Sequence, residues 1–492
     1  MKKYYITTPI YYVNDKPHIG HAYTTILADT LSRYRNLVGE DSFFLTGLDE
    51  HGLKVQQAAE KNKVSPSEHC DKMAPAFLRL WDKLNINYSD FIRTTEERHT
   101  KIVQNILSEV YNNGDIYQDE YEGWYSISEE RFITEKEVDS GLFGEVKNIK
   151  EKNYFFKMSM YQSELITKIE NDELSIQPKS RKNEVLGFLK NNLSDLCISR
   201  PKSRLEWGIE IPFDKDYVTY VWFDALINYI SVPKYSLDMN VFDMHWPADV
   251  HLIGKDILTT HSVYWPTMLM SLDLPLPKAI FAHGWWLTDE KKMSKSLGNV
   301  IDPLMLIDEF GVDAVRYYLM ADMVLGLDAT FSMDSFVKKY NSDLANDLGN
   351  LVSRVCTLIS KNFDNKIPQY SNKESILLNN FEHIDLKENL DNFKMDALLR
   401  DIMSFVRSVN GYMETNQPWK LVKNDKEVAG NILYHAAESL RIAAVMLSPV
   451  MPEKSKEILN ALGTNNTELS WLGLKPLDKI IKSDPIFPRI VQ

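Results

Sequence analysis

The sequence predicts an α/β chain, with a parallel-sheet domain split by an insertion and followed by an all-α helix bundle. Three observations carry this. Strand-like and helix-like segments alternate from the first residues, the pattern that builds a parallel sheet from βαβ units. From about residue 119 to 212 this alternation gives way to short aromatic and charged segments such as "YEGWYSISEERF" and "KEKNYFFKM". After about residue 340 the apolar residues recur at three- and four-residue steps.

The elements follow in order. "KKYYITT" is rich in β-formers and reads as a buried strand. A loop with Pro9, Asn14, Asp15 and Pro17 comes next. Tyr23, Ile26, Leu27, Leu31 and Tyr34 then share one helical face, and Gly39 suits the cap that ends it. "DSFFLTG" is a second strand, and 53–62 and 66–84 read as helices. After the insertion the βα texture resumes at "VTYVWFDALINYI" and runs through "DVHLIGKDILTTHSVYWPTMLM". In the last third, Leu344, Leu348, Leu351 and Val355 form one stripe, and Leu398, Ile402, Phe405, Val409 and Tyr412 another. "NILYHAAESLRIAAVMLSPVMP" adds a third helix of the bundle. The expected domains are 1–118 and 213–275 for the two halves of the α/β domain and 119–212 for the insertion. A connecting region spans 276–340 and the bundle 341–492.

Composition narrows the function class. At 492 residues the chain is too long for one ordinary core. A formal net charge of -13 argues against a protein that coats nucleic acid non-specifically, so any nucleic-acid partner must be held by local patches and shape. Cys70, Cys197 and Cys356 are widely spaced, with neither a zinc spacing nor a disulfide framework. The N-terminus has no uninterrupted apolar stretch, and no apolar run reaches the length of a membrane span. A cytoplasmic protein with no membrane partner is expected.

Two short motifs carry chemistry. His18-Ile19-Gly20-His21 stands after a strand at a helix start. Such a start presents free N–H groups and a positive dipole end. Gly20 lets another group approach its backbone, and two imidazoles three residues apart can both donate to phosphate oxygens. Taken alone, the pair also reads as two capping histidines beside a turn, or less readily as zinc ligands. No Walker A loop and no G-x-G-x-x-G fingerprint occurs in the chain. The second motif, "DEKKMSKSLGN" from Asp289 to Asn299, packs Lys292, Ser294, Lys295 and Ser296 beside glycine. Alone it reads as a solvated basic loop.

In this order, with α/β texture between them, the two motifs resemble the paired signatures of the class I aminoacyl-tRNA synthetases. "TTPIYYVNDKPHIGHAYTTILADTLSRY", "FFLTGLDEHG", "DFIRTTEERH", "ISRPKSRLEWGI", "TYVWFDALINYI", "HLIGKDILTTHSVYWPTML", "KMSKSLGNVIDP", "DAVRYYL", "DLGNLVSR" and "QPWKL" narrow the resemblance to the methionyl-tRNA synthetases. The resemblance covers most of the chain. It implies a Rossmann-type catalytic domain with an inserted connective domain, a stem-contact region at 276–340, and an anticodon-binding bundle. It further implies activation of L-methionine by ATP, then transfer to tRNA(Met), initiator tRNA included. His18, His21, Lys292 and Lys295 would be catalytic, stabilising charge on the α-phosphate and the leaving pyrophosphate, with Mg2+ screening the triphosphate. His18, Gly20, His21, Gly254, Asp256 and Lys295 would bind ATP. Asp49 would take the α-ammonium of methionine, and Ile10, Tyr12, Trp222, Ala225, Tyr229, His261 and Trp265 its side chain. Asn350, Arg354 and Trp419 would read the CAU anticodon, by edge hydrogen bonds and by stacking.

The chain departs from the family where many members carry a zinc knuckle. Ser126 and Glu129 stand where cysteines would be, so no structural zinc is expected. Trp124, Tyr125, Phe132 and Phe155 would then hold the insertion by aromatic packing. A monomer is expected. Another class I synthetase, a small-molecule nucleotidyltransferase and a synthetase-like RNA-binding protein are the competing readings. Missing cysteines, the short insertion, the bundle residues and the intact His and Lys set stand against them in turn.

Overall fold

A computed structural model describes residues 3–14, 16–126, 131–133, 138–139, 145–288, 291–292, 301–481 and 484–491. It divides into two compact units. One comprises Met1–Pro17, Glu40–Asp82 and Ile86–His283; the other comprises His18–Gly39, Lys83–Asn85 and Gly284–Gln492.

The first unit is built on a seven-stranded sheet in which every neighbouring pair is parallel. Tyr4–Thr7 lies at its centre, paired with Ser42–Asp49 on one side and Val250–Gly254 on the other. The chain resumes pairing at Tyr11–Tyr12, past Pro9, which has no N–H for the ladder. Asp90–Arg93 adds to Ser42–Asp49, and Ala279–His283 to Val250–Gly254. The last six residues of Ser42–Asp49 are all buried, as expected for a parallel sheet covered on both faces. Tyr5, Leu45, Ile92, Ile253 and Ile280 share one core with the covering helices.

The span 119–212 contains strands of more than one sheet. Within that span Ser175–Gln177 pairs in parallel with Ala279–Phe281, so it is a strand of the main sheet. Three residues are too few to show a period, which hides this strand in the sequence. Of the other strands, Ile116–Ser126 and Val146–Phe156 form an antiparallel ribbon with Arg131–Ile133 and Leu196–Cys197 at its edges, while Ser199–Pro201 and Glu210–Ile211 pair antiparallel with Asp214–Thr219 in a separate small sheet. Aromatic packing supports it: Phe155 stacks on Tyr117 at 5.8 Å. Tyr125 carries the Arg204 guanidinium at 4.4 Å and Arg200 at 5.5 Å, cation–π contacts that the sequence does not announce. Ser126 ends the long strand and is buried, while Glu129 lies outside the described residues.

The second unit is mainly helical, with a small sheet of Trp286–Thr288, Lys291–Lys292 and Ala329–Thr330, and the helix Ile19–Leu37 belongs to it rather than to the sheet unit, unlike the expected 1–118 division. Gly39 follows with φ +90, the left-handed step at which glycine ends a helix without strain. A buried ion pair far apart in sequence is one of the ties that join this helix to the unit. Arg316, on Val312–Asp322, donates from Nη2 to Asp29 Oδ2 at 2.6 Å, and both side chains are fully buried. The same guanidinium donates to the carbonyls of Leu84, Pro449 and Val450 at 2.8–3.0 Å. All three predicted stripes lie on helices: Asn350–Asn362, preceded by the π-turns of Tyr340–Gly349, then Met395–Asn416 and Lys426–Leu447.

Candidate active site

Ligands of open parallel sheets bind beyond the carboxyl ends of the strands. Asp49 is the last residue of Ser42–Asp49 and is 6% exposed. Gly254 closes Val250–Gly254, and a Cβ there would lie 2.6 Å from Asp256 Oδ1. Glycine at 254 is therefore what lets the Asp256 carboxylate fold back against the strand end, with Asp256 itself exposed.

In the same unit the predicted aromatic residues come together. Val221–Leu226 carries Trp222 and Ala225, and Asn228–Ser231 carries Tyr229. His261 lies in the π-helical stretch Thr260–Tyr264, and Trp265 opens the α-helix after it. The Tyr229 ring lies 5.8 Å from both His261 and Trp265, and Trp222 meets His261 edge-on at 6.1 Å. Tyr229, His261 and Trp265 are buried, and Trp222 is half-buried. Ile10 and Tyr12 are half-buried and pack on the same core.

Hydrogen bonds fix the protonation of the two histidines. His261 Nδ1 faces the Ile257 carbonyl at 2.9 Å, which can only accept, so the proton is on Nδ1. Nε2 therefore accepts the Tyr229 hydroxyl at 2.8 Å. Burial pushes the His261 pKa down to about 4, against partial opposition from the Ile257 bond and from Asp256. Behind it, the Trp265 indole N–H donates to His251 Nε2 at 3.2 Å, so His251 Nδ1 donates to Thr7 Oγ1 at 2.7 Å. Burial, then His261, holds the His251 pKa well below the ordinary value. Both imidazoles are neutral near pH 7. The arrangement is an uncharged, polarizable aromatic cluster, of the kind suited to line a slot for a soft apolar side chain.

Sequence reading missed Thr7 and His251. It also missed Asp224, which is buried between His51 Nδ1 at 2.6 Å and His99 Nε2 at 2.7 Å. A signal was present: one carboxylate inside the apolar run "VWFDALINYI" cannot stay buried unpaired. Burial alone would raise its pKa, but the two histidines outweigh this and hold it low.

In the second unit the H-x-G-H turn is a reciprocal helix cap. Gly20 N donates to His18 Nδ1 and His18 N donates to His21 Nδ1, each at 3.1 Å. The rings stack 3.9 Å apart. Because both Nδ1 atoms accept, both protons sit on Nε2. Lys292 belongs to Lys291–Lys292, paired with Trp286–Thr288; Lys295 lies outside the described residues. In the bundle, the Arg354 guanidinium lies 5.4 Å over the Trp419 ring and donates to Glu414 at 2.7 Å. Asn350 is exposed one turn before Arg354 on the same helix.

A family model for class I tRNA synthetases of the methionine type matches residues 4–141 and 139–356. A model for the anticodon-binding domain of methionyl-tRNA ligase matches 369–481. The chain belongs to the methionyl-tRNA synthetase family. The methionine–tRNA ligase of Clostridium acetobutylicum is 47% identical, over 99% of this chain and 78% of the relative. That of Bacillus subtilis is 41% identical with the same coverage. The solved Mycobacterium tuberculosis methionyl-tRNA synthetase in complex with methionyl-adenylate superposes with a TM-score of 0.95 at 38% identity, covering 99% of this chain and 100% of that one. The parallel sheet and the helical C-terminal unit are thus the Rossmann-type and anticodon-binding parts of a class I synthetase.

Proposed function

We propose that this chain carries out the family's reaction with the residues described above. It is an ATP-dependent methionine–tRNA ligase. L-Methionine and ATP give methionyl-adenylate and pyrophosphate, and the methionyl group passes to the 3′ end of tRNA(Met), initiator tRNA included.

The observation that supports methionine most directly is the neutral aromatic slot of Trp222, Tyr229, His261 and Trp265. A thioether has no charge to pair and little hydrogen-bonding power, so its recognition rests on dispersion and sulfur–aromatic contact. A protonated histidine would pull water into the slot. Tyr229 and Ile257 hold His261 in the neutral tautomer. Ala225 leaves room, Ile10 and Tyr12 complete the lining, and the buried Asp49 carboxylate pairs with the α-ammonium.

In activation, the methionine carboxylate attacks the α-phosphorus, and the bond from that phosphorus to the α,β-bridging oxygen breaks, releasing the β- and γ-phosphates as pyrophosphate. Negative charge builds on the α-phosphoryl oxygens and the leaving group. The caps of His18 and His21 pre-set Nε2–H as the donor on each ring, so no tautomer change is needed as charge develops. Gly20 offers its backbone, and Lys292 and Lys295 supply positive charge. Gly254 and Asp256 bind the ribose. Magnesium arrives as part of the MgATP substrate. In the bundle, a splayed anticodon base stacks on Trp419 and Arg354, with Asn350 reading an edge.

With serine at 126 the insertion needs no structural zinc, and we assign none. Three free cysteines fit a reducing cytoplasm. No helix among the described residues is long and apolar enough to cross a membrane. The chain acts as a monomer. ATP–pyrophosphate exchange with a panel of amino acids tests the reading: methionine alone should support it. Exchange with leucine but not methionine, or none at all, would overturn it.

A further inference from the structure

Within the sheet unit, Asp224 sits at the junction of the elements that carry the proposed methionine contacts. It lies on Val221–Leu226 between Trp222 and Ala225. Its Oδ2 accepts from Nδ1 of His51, two residues beyond Asp49. Its Oδ1 accepts from Nε2 of His99, on Glu97–Asn112. Nδ1 of His99 meets Ser231 Oγ at 2.9 Å, two residues beyond Tyr229. One carboxylate therefore ties together the strand end with Asp49, the helix with Trp222 and Ala225, and the helix with Tyr229.

The order Ser231–His99–Asp224 has the connectivity of a hydrolytic triad. It does not act as one. Ser231, His99 and Asp224 are 2%, 0% and 1% exposed, so no substrate can reach the hydroxyl. Because a carboxylate only accepts, His51 and His99 each turn an N–H toward Asp224. His51 is clamped further by Trp207. Their rings lie 5.4 Å apart, Trp207 Nε1 donates to the Glu50 carbonyl at 2.5 Å, and its carbonyl accepts from Gly52 N at 3.2 Å. The backbone on both sides of His51 is thus held in place. Glu50 is fixed from its other end by Arg93 Nε at 2.7 Å and Thr95 Oγ1 at 2.5 Å.

We propose that Asp224, through His51 and His99, is a positioning residue for methionine: it sets the register of the ammonium-binding carboxylate against the side-chain slot. Methionine selection requires both ends of one small molecule to be met at once. A displacement of about 1 Å between Asp49 and Trp222 would cost affinity even with every contact residue intact. The inference rests on the assignment of Asp49 and the aromatic slot to methionine, made above.

The test is ATP–pyrophosphate exchange with Asp224→Asn, His99→Leu and His99→Gln, each first shown to be folded by its thermal transition. Asparagine turns an amide N–H₂ toward one histidine N–H and breaks one arm. His99→Leu breaks the other, whereas His99→Gln keeps a donor for Asp224 and an acceptor for Ser231. Asp224→Asn and His99→Leu should raise the methionine KM about tenfold to a hundredfold, the effect expected when contact residues are misplaced by about 1 Å, with the ATP KM unchanged. His99→Gln should stay close to the parent. If Asp224→Asn does not fold, the two His99 variants decide alone. An unchanged methionine KM in folded His99→Leu, or an equal rise in the ATP KM, overturns the inference. Asp49→Asn and Tyr229→Phe, run alongside, separate the two claims. If they too leave the methionine KM unchanged, the site assignment fails; if they raise it and Asp224→Asn and His99→Leu do not, only the positioning role fails.

Discussion

His18 caps a helix in this structure and is proposed to bind phosphate as well, and substitutions can pull the two roles apart. Its Nδ1 caps the helix by accepting from Gly20 N, while Nε2–H is the proposed donor to phosphate. Alanine removes both. Loss of the cap should cost about 1 kcal/mol, lowering the melting temperature by roughly 2–4 °C in a unit of this size. Loss of a donor aimed at developing phosphoryl charge should lower exchange by about a hundredfold to a thousandfold. Asparagine removes only the second, because its side-chain oxygen is among the best N-caps. The assay pairs thermal denaturation with ATP–pyrophosphate exchange at saturating methionine and with methionine binding by equilibrium dialysis. His18→Ala should lose both stability and exchange. His18→Asn should recover the melting temperature, keep methionine affinity, and remain as slow as alanine. If His18→Asn restored exchange together with stability, His18 would be a cap and nothing more, and the catalytic reading of the turn would be refuted.

Other outcomes follow from the same geometry. Tyr229→Phe strips the donor from buried His261 Nε2, a penalty of about 1–3 kcal/mol, and should appear as a raised methionine KM in exchange assays. The His261 pKa is about 4 when folded and 6.5 ordinarily, so the folded state binds fewer protons between these values. Its contribution is complete above pH 6.5 and is lost as pH falls through 4, at most about 3 kcal/mol at about 1.4 kcal/mol per pH unit. Urea titrations at pH 7 and pH 4.5 measure it, and His261→Gln should flatten the difference. Arg316→Met removes the buried guanidinium partner of Asp29 and leaves three carbonyls without this donor. It should lower unfolding free energy by about 3–5 kcal/mol in urea melts. Trp419→Ala should raise the tRNA KM in aminoacylation by about tenfold, the effect of losing one stacked base, with ATP–pyrophosphate exchange unchanged.

What the sequence disclosed depended on the range of the interactions involved. The bundle stripes were legible because a buried helix face repeats locally, as Leu344, Leu348, Leu351 and Val355 show. The strand Ser175–Gln177 was hidden because its assignment depends on Ala279–Phe281, a hundred residues away in the chain. The grouping of Ile19–Leu37 with the helical unit was equally hidden, since Asp29 and Arg316 have no local signature as a pair. At the site, the residue types of the slot were readable but not its charge state. That His261 and His251 are neutral follows from the Ile257 carbonyl and the Trp265 indole, whose positions no spacing rule supplies.

Histidine serves here in two ways that one physical rule unites. In the slot, His261 and His251 are sealed from water, and burial removes their charge. A cation there would face the proposed methionine side chain with nothing to pair it, so the neutral state suits that assignment. At the helix start, His18 and His21 are half-buried, and their tautomers are set by backbone bonds. In the proposed ATP site the triphosphate would bring its own magnesium, and two fixed N–H donors would add direction that a mobile charge does not. In the slot both ring nitrogens are committed to the protein, and at the helix start Nδ1 is, with Nε2–H the proposed phosphate donor, so each nitrogen has one defined role. Replacing either pair with lysine or arginine would supply charge but not that division of labour, which is why a conservative basic substitution at His18 or His261 should fail as thoroughly as alanine.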